Sequence, residues 1–487
     1  MKVKHALVYI VLCLCPIVLT ADDYSIEWAD TIDTGDWDGA SDVAVDHSSN
    51  IVVVGSSFIG GNTDYFIVKY DSSGTILWLD TLDNGDEDYA QAIAVDNNNN
   101  IIVTGYSMIN GDYDFYTVKY DSNGSILWQD TLDNYGLYDI ARGVAVDHAQ
   151  NVIVTGYCDI GDDCVYLTVK YDPTGAVIWT DTLNNGSYDS AFDVAVDNTD
   201  NIIVTGYTST GVNNDYFTVK YDSSGTLLWQ DTIDVYQYDQ AYGIVVDNRQ
   251  NIIVTGCSGE SSEDYDFFSV KYNANGTVLW ADTLDHENND DVAYDIAVDN
   301  NNNIYITGYS LPLSGDYDFY TVKYDSNGAI LWQGILDNGN DDIAYGIGVD
   351  NHDNILVTGR SYITGTFDHF TVKYKLITGI REYSEECFDY PLIEVSPNPF
   401  HDKIIIVLRT KNIRATAHGS NPLVSHLNIY DATGRLVRQW DYQTIRQPVE
   451  IVWHGTDSQG IRLPSGVYYL IIESREYRTT KKLLLLR

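Results

Sequence analysis

The sequence predicts an all-β chain: seven like four-stranded units in a ring, followed by a small β-sandwich. Three observations predict it. Tryptophan recurs at Trp28, Trp78, Trp128, Trp179, Trp229, Trp280 and Trp332, a spacing of 50 to 52 residues. Two further marks keep step with it seven times each: the lysine of "VKY", from Lys69 to Lys373, and the aspartate ending "AVD" or its variants, from Asp46 to Asp350. No window has helical spacing, and β-branched and aromatic runs alternate instead with clusters of Asn, Asp, Gly and Ser.

Residues 1–21 carry Lys2 and Lys4 ahead of an apolar run that stops before "ADDYS", the order of a secretory signal peptide with a cut near Ala21. The run is interrupted by Pro16 and is short for a membrane span, and no later stretch is apolar enough to cross a bilayer. The mature chain is therefore expected to be exported, without a transmembrane segment, and to act as a monomer. It keeps Cys158, Cys164, Cys257 and Cys387. Cys158 and Cys164 share one short loop, where they either clip it as a disulfide or stand as free thiols.

Residues 22–375 hold the repeats. In the second copy the four strands read "AQAIAVD", "NIIVTGY", "DFYTVKY" and "SILWQDT". "DNNNN" and "DSNG" supply hairpin turns whose tight positions need left-handed backbone. A four-stranded repeat of this length is the signature of a β-propeller blade. Ala90, Ala92 and Ala94 alternate along the first strand, as small residues must where strands crowd an axis, so this strand is innermost and the Trp strand outermost. The second strand is expected to be buried on both faces, with its Gly ending it. The repeats open on a lone Trp strand, "SIEWADTID", and close on "FDHFTVKYK" with none, so residues 24–33 should complete the seventh blade.

The pattern "D-x-A-x-x-[IV]-[AV]-V-D-x-x-x-N-I-x-V-T-G" followed by "D-x-x-x-V-K-Y-D-x-x-G-x-[IVL]-x-W" resembles the bacterial SBBP, or seven-bladed β-propeller, repeat. That resemblance implies architecture and says little about ligand. After a linker at 376–391, residues 392–487 alternate apolar strands with Gly turns and read as an Ig-like sandwich. Pro397 to Phe400, "IYDATGRLV", "LPSGVYYL" and Lys481 with Lys482 make this module resemble the type A sorting domain of the type IX secretion system. It is similar also to the Ig-like module of flagellar hook-capping proteins. The resemblance implies a secretion-machinery partner and release or attachment at the cell surface.

Net charge is -44, with 59 Asp+Glu against 13 Lys+Arg in residues 1–379 and 12 against 14 in the rest. Such a field repels phosphate backbones, which excludes nucleic acid as a partner and favours cations. No H-E-x-x-H, G-x-S-x-G or phosphate-cradling loop is present, so no catalytic residue is assigned. The "VKY" lysine is expected to reach an aspartate such as that of "W-x-D-T", or to lie along a Trp face. Asp38, Asp88, Asp139, Asp189, Asp239, Asp291 and Asp342 each precede by two residues the Ala of the innermost strand. Two readings compete for them: each accepts backbone hydrogen bonds from its own turn, or the seven form a ring at the channel mouth, with Asp42, Asp193 and Asp295 deeper, that holds Ca²⁺. The variable loops carry Trp37, Tyr89, Tyr113, Tyr138, Tyr188, Tyr236 and Tyr238 among many acids. Their aromatic faces suit a glycan, peptide or protein ligand, or they seal blade against blade. The function expected is a non-catalytic surface scaffold that binds through an acidic, aromatic face. The alternative is a secreted polysaccharide-active hydrolase or lyase, which would show one cluster of non-repeated polar residues at the channel mouth.

Overall fold

In the computed structural model, the described residues are 23–84, 86–134, 136–161, 163–209, 211, 213–261, 264–286, 289–312, 315–363 and 365–377, then 392–396, 401, 403–409, 424–431, 435–441, 449–474 and 478–486. They fall into two compact units divided at residues 378–379. The expected leader, Cys387 and Pro397 to Phe400 lie outside the described residues.

Every described element is a strand. After β1 (Asp23–Ile32) the first blade comprises β2 (Asp38–Val45), β3 (Ile51–Ile59), β4 (Asn62–Tyr70) and β5 (Ile76–Leu82), antiparallel in that order. The pattern recurs until seven four-stranded arrays have formed, the fourth and fifth touching through one parallel bridge from Asn214 to Tyr238. The seventh array has three strands of its own, Asp342–Val349, Ile355–Ile363 and Thr366–Ile377, and β1 supplies the fourth. Its last strand runs two residues beyond the expected boundary at 375, because Leu376 and Ile377 pair with Tyr24 and Asp23.

Burial follows position in the blade. The second and third strands are covered by neighbouring blades on both faces, and the Trp strands alternate exposed and half-buried residues at the rim. Apolar clusters cross from blade to blade: Val52, Val54 and Ile67 of the first pack against Ile93, Ile101 and Val118 of the second. Leu356 of the seventh joins Val43 and Val53 of the first, which closes the ring. Each such side chain withdrawn from water contributes about 1.5–3 kcal/mol.

The repeated polar marks join the same neighbours. Lys69 Nζ pairs with Asp46 at 2.8 Å within the first blade, and it donates to the carbonyl of Ser122 in the second at 3.2 Å. Lys119, Lys170, Lys220 and Lys271 pair in the same way with Asp96, Asp147, Asp197 and Asp247. The partner is thus the "AVD" aspartate, not that of "W-x-D-T", which lies one strand farther out. Asp30, in the latter position, accepts instead from the Tyr70 hydroxyl of the next blade at 3.0 Å.

The glycine of "VTG" does not end its strand, which continues to Ile109 in the second blade. It lies opposite a bulge in the inner strand, between Ala90 and Ala92, where the two backbones approach closely. A Cβ on Gly105 would lie 1.9 Å from the carbonyl oxygen of Tyr89. Cys158 and Cys164 are buried free thiols, and the Cys164 Sγ donates to the carbonyl of Asp189 at 3.3 Å.

In the second unit, Leu392–Ser396, Ile404–Arg409 and Val449–Trp453 form one sheet. Leu436–Asp441, Val424–Asp431, Gly466–Ser474 and Arg478–Leu485 form the other. Ile404, Ile406 and Trp453 from the first share one core with Leu427, Leu470 and Leu483 from the second. Two sheets over one core make the Ig-like sandwich.

Candidate functional site

One position of the inner strand varies around the ring, with five residue types over seven blades. It directly follows the Ala of "D-x-A" and holds Ser41, Gln91, Arg142, Phe192, Tyr242, Tyr294 and Tyr345. All seven are half-buried and line an open funnel of about 360 Å³ at one end of the central channel. Trp37, Tyr89, Tyr106 and Arg360 complete the wall. Strand alternation explains the convergence, since this position faces the axis while Ala90 on one side of Gln91 is fully buried.

The funnel has an ordered lining. Phe192 meets Tyr242 edge to face with centroids 4.9 Å apart, Tyr242 meets Tyr294 at 5.2 Å, and Tyr294 meets Tyr345 at 5.0 Å. An arginine stands at each end of this arc. The Arg142 guanidinium lies 5.4 Å from the centre of Phe192, and that of Arg360 lies 5.5 Å from the centre of Tyr345. Arg142 donates from Nη1 to Gln91 Oε1 at 2.7 Å, while Nε of Arg142 and Nε of Arg360 are buried with no acceptor. Burial holds the Tyr106 hydroxyl up at about 12 and pushes those of Tyr242 and Tyr294 above the ordinary tyrosine value, so all three remain hydrogen-bond donors at neutral pH.

The described lining contains no Asp, Glu or His. The arrangement can stack flat or ring-shaped groups on aromatic faces and fix an anion at either end. It offers no carboxylate pair for glycoside hydrolysis. Elsewhere a Ser57–His369 hydrogen bond of 2.9 Å is fully enclosed, and burial lowers the His369 imidazole to about 3, so it is neutral and beyond reach of substrate.

Of the expected aromatic residues, the structure brings Trp37 and Tyr89 into the funnel. Tyr113 and Tyr138 extend the same rim, with Tyr106 5.1 Å from Tyr113 and Tyr113 5.7 Å from Tyr138. Tyr188, Tyr236 and Tyr238 lie outside the lining. The wall is also cationic where an acidic face was expected, because the one-off inner-strand position carries Arg142, and Arg360 follows the "VTG" of the last copy. Both positions vary among copies that agree closely elsewhere, and that variation is the signal that could have found them.

The seven expected aspartates do not form one ring. Each is fully buried where two blades meet and accepts a backbone N–H from the loop before it: Thr34 to Asp38 at 2.7 Å, Asn84 to Asp88 at 2.7 Å, Asn185 to Asp189 at 2.6 Å. Two more acids join most of them. The triads are Asp33, Asp38 and Asp368; Asp64, Asp83 and Asp88; Asp114, Asp133 and Asp139; Asp215, Asp234 and Asp239; and Asp266, Asp285 and Asp291. Within each, one oxygen per carboxylate lies within 4.8 Å of the others. Oδ1 of Asp64, Asp114, Asp139 and Asp189 is buried and receives no hydrogen bond among the described residues, while Ser107, Ser310 and Ser361 stand beside Asp88, Asp291 and Asp342. Burial, reinforced by neighbouring carboxylates, raises Asp64 and Asp114 to about 6, and Asp139 and Asp291 to about 7. Asp42, Asp193 and Asp295 are separate from these triads. Their Oδ2 atoms accept from the backbones of Ile93, Ile244 and Ile347 in the next blade, at 2.9, 2.9 and 2.7 Å, and burial raises all three carboxyls.

A β-propeller with an aromatic, arginine-flanked funnel at its axis, followed by an Ig-like sandwich, is the class that this fold and site define. Three family models match parts of the chain: a beta-propeller repeat (SBBP) at residues 286–311, a domain of unknown function (DUF5122) beta-propeller at 50–76 and 97–126, and the FlgD Ig-like domain at 412–476. No curated protein sequence matches. Among solved structures, the chain is similar in fold to PorZ, an essential bacterial surface component of the type-IX secretion system of Porphyromonas gingivalis, at 15% identity and a TM-score of 0.47. That match covers 92% of this chain but 59% of PorZ. It is similar also to Sqt1 from Chaetomium thermophilum, at 12% identity over 69% of this chain and 83% of the other, TM-score 0.44. A PL25 ulvan lyase aligns at 10% identity over 72% and 96%, TM-score 0.45.

Proposed function

We propose that the protein is an exported, non-catalytic binding propeller whose funnel takes a glycan or peptide segment bearing carboxylates. One observation carries the reading: four aromatic rings in an arc, with an arginine at each end whose Nε has no acceptor, in a chain of net charge -44. A half-buried guanidinium whose Nε is enclosed and unpartnered, in a protein so rich in carboxylates, is suited to an anion brought from outside. An oligosaccharide containing uronic acids meets both requirements, with pyranose faces for the rings and carboxylates for the arginines. The test is titration calorimetry against oligouronates and neutral oligosaccharides of equal length. The oligouronates should bind, and Arg142→Gln with Arg360→Gln should weaken them at least tenfold, about 1.4 kcal/mol. Equal affinity for neutral sugars, or an unchanged affinity in the variant, would reject the reading. The alternative, a polysaccharide lyase, is favoured by tyrosine hydroxyls beside Arg142, and release of unsaturated products in the same mixtures would establish it.

The second unit fits a role in delivery. Its resemblance to a sorting domain, together with a leader of the signal-peptide order, supports passage through an outer membrane to the cell surface. Removing residues 392–487 should leave the propeller inside the envelope of the producing cell, as read by fractionation and surface proteolysis. Normal surface delivery of the truncated chain would count against that role.

A further inference from the structure

We propose that six of the seven blade junctions are Ca²⁺ sites, each built from three aspartates of two neighbouring blades, and that the ions staple the ring. The junction of blades one and two shows the construction. Asp64 stands on β4, Asp83 directly follows β5, and Asp88 opens the inner strand of the next blade. Three carboxylates with oxygens within 4.8 Å of one another repel strongly unless something positive lies between them.

Among the described residues, the chain supplies no such charge to Asp64 and Asp114. Every "AVD" aspartate described above has a buried lysine, whereas Asp64 and Asp114, 5% and 3% exposed, form no ion pair and leave Oδ1 without a hydrogen bond. A buried carboxylate oxygen that receives no hydrogen bond is poorly solvated and costly. Asp318, Asp337 and Asp342 occupy the same three positions at a sixth junction, where Asp337 and Asp342 repel the charge on Asp318.

The remaining junction, the third, between blades three and four, is a control provided by the sequence. In the third copy the position of Asp64 is Val165, and that of Asp83 is Asn184. Both partners of Asp189 are therefore lost together, while Asp189 and its loop hydrogen bond remain. If the acids served only their turns, nothing would couple a residue of the third strand to one after the fourth. A shared ion couples them, since two ligands without the third hold it poorly. All donors are hard oxygens with a formal charge of about -3, to which carbonyls and water would add, and that is the donor set of Ca²⁺.

The experiment uses the full-length protein, stripped with chelator and dialysed against millimolar Ca²⁺, with bound metal counted by atomic emission. About six ions per chain are expected, one for each triad. Asp64→Val with Asp83→Asn, the pattern of the third junction, should bind one fewer. Val165→Asp with Asn184→Asp should bind one more, and this gain does not depend on the first variant folding. Ca²⁺ should also raise the melting temperature of the wild type by several degrees. Less than one ion per chain, or a count that neither variant moves, would overturn the proposal.

Discussion

Gly105 and Gly348 look alike in the sequence but not in the fold. A methyl on Gly105 would sit 1.9 Å from the Tyr89 carbonyl and 2.7 Å from the Tyr65 hydroxyl, so two strands would have to part. A methyl on Gly348 would find its nearest neighbour, Val45 Cγ2, at 3.6 Å, an ordinary contact, and the equivalent residues in the second and third copies are Ala94 and Ala145. Gly105→Ala should therefore cost about 3 kcal/mol, whereas Gly348→Ala should stay within about 0.5 kcal/mol of the wild type. Chemical denaturation of the two variants checks both, and equal costs would contradict the bulge as the reason for the "VTG" glycine. The recurrence of that glycine was legible in seven copies. Its reason was not, because the bulge belongs to the partner strand and appears only once register is known.

At the scale of the element, the order of strands in a blade was legible because each strand buries a different surface. Small residues marked the inner strand, unbroken apolar runs the two middle ones, and alternation the rim. The partners of polar residues were harder to read. The lysine of "VKY" was expected to reach toward the rim, yet it turns to the "AVD" aspartate and to a turn of the next blade, a choice made by side-chain reach across a sheet. Breaking such a buried pair leaves an uncompensated charge, which explains why lysine and aspartate recur together in all seven copies. The funnel was legible only in part. Aromatics beside the variable loops such as Tyr188 drew attention, but the wall is made by an inner-strand position whose five different letters over seven copies signal that it serves no common packing role.

For the whole molecule, the ring depends on a strand from the far end of the chain. β1 pairs with the last propeller strand from Asp23 opposite Ile377 to Ile32 opposite His369. Its side chains reach blades on both sides: the Tyr24 hydroxyl meets that of Tyr305 at 3.1 Å, and Trp28 lies against Tyr70 with centroids 5.5 Å apart. Asp33, just beyond it, belongs to the acidic triad that spans the closure. Deleting residues 24–33 would expose the paired edge of the seventh blade and open contacts to the sixth and first together. A loss of this breadth is comparable to the whole stability of a domain, about 5–15 kcal/mol, so the truncated propeller should melt far lower and with a broader transition. An edge left open in this way is also a template for strand addition. A peptide of residues 24–33 added in excess should therefore raise the melting temperature of the truncated protein, while a peptide with Trp28 and Tyr24 both replaced by Ala should not. Calorimetry with and without the peptides reads the difference. An unchanged transition on deletion would mean that six complete blades hold the ring without a seventh closed by pairing, and the role assigned to the N-terminal strand would fall.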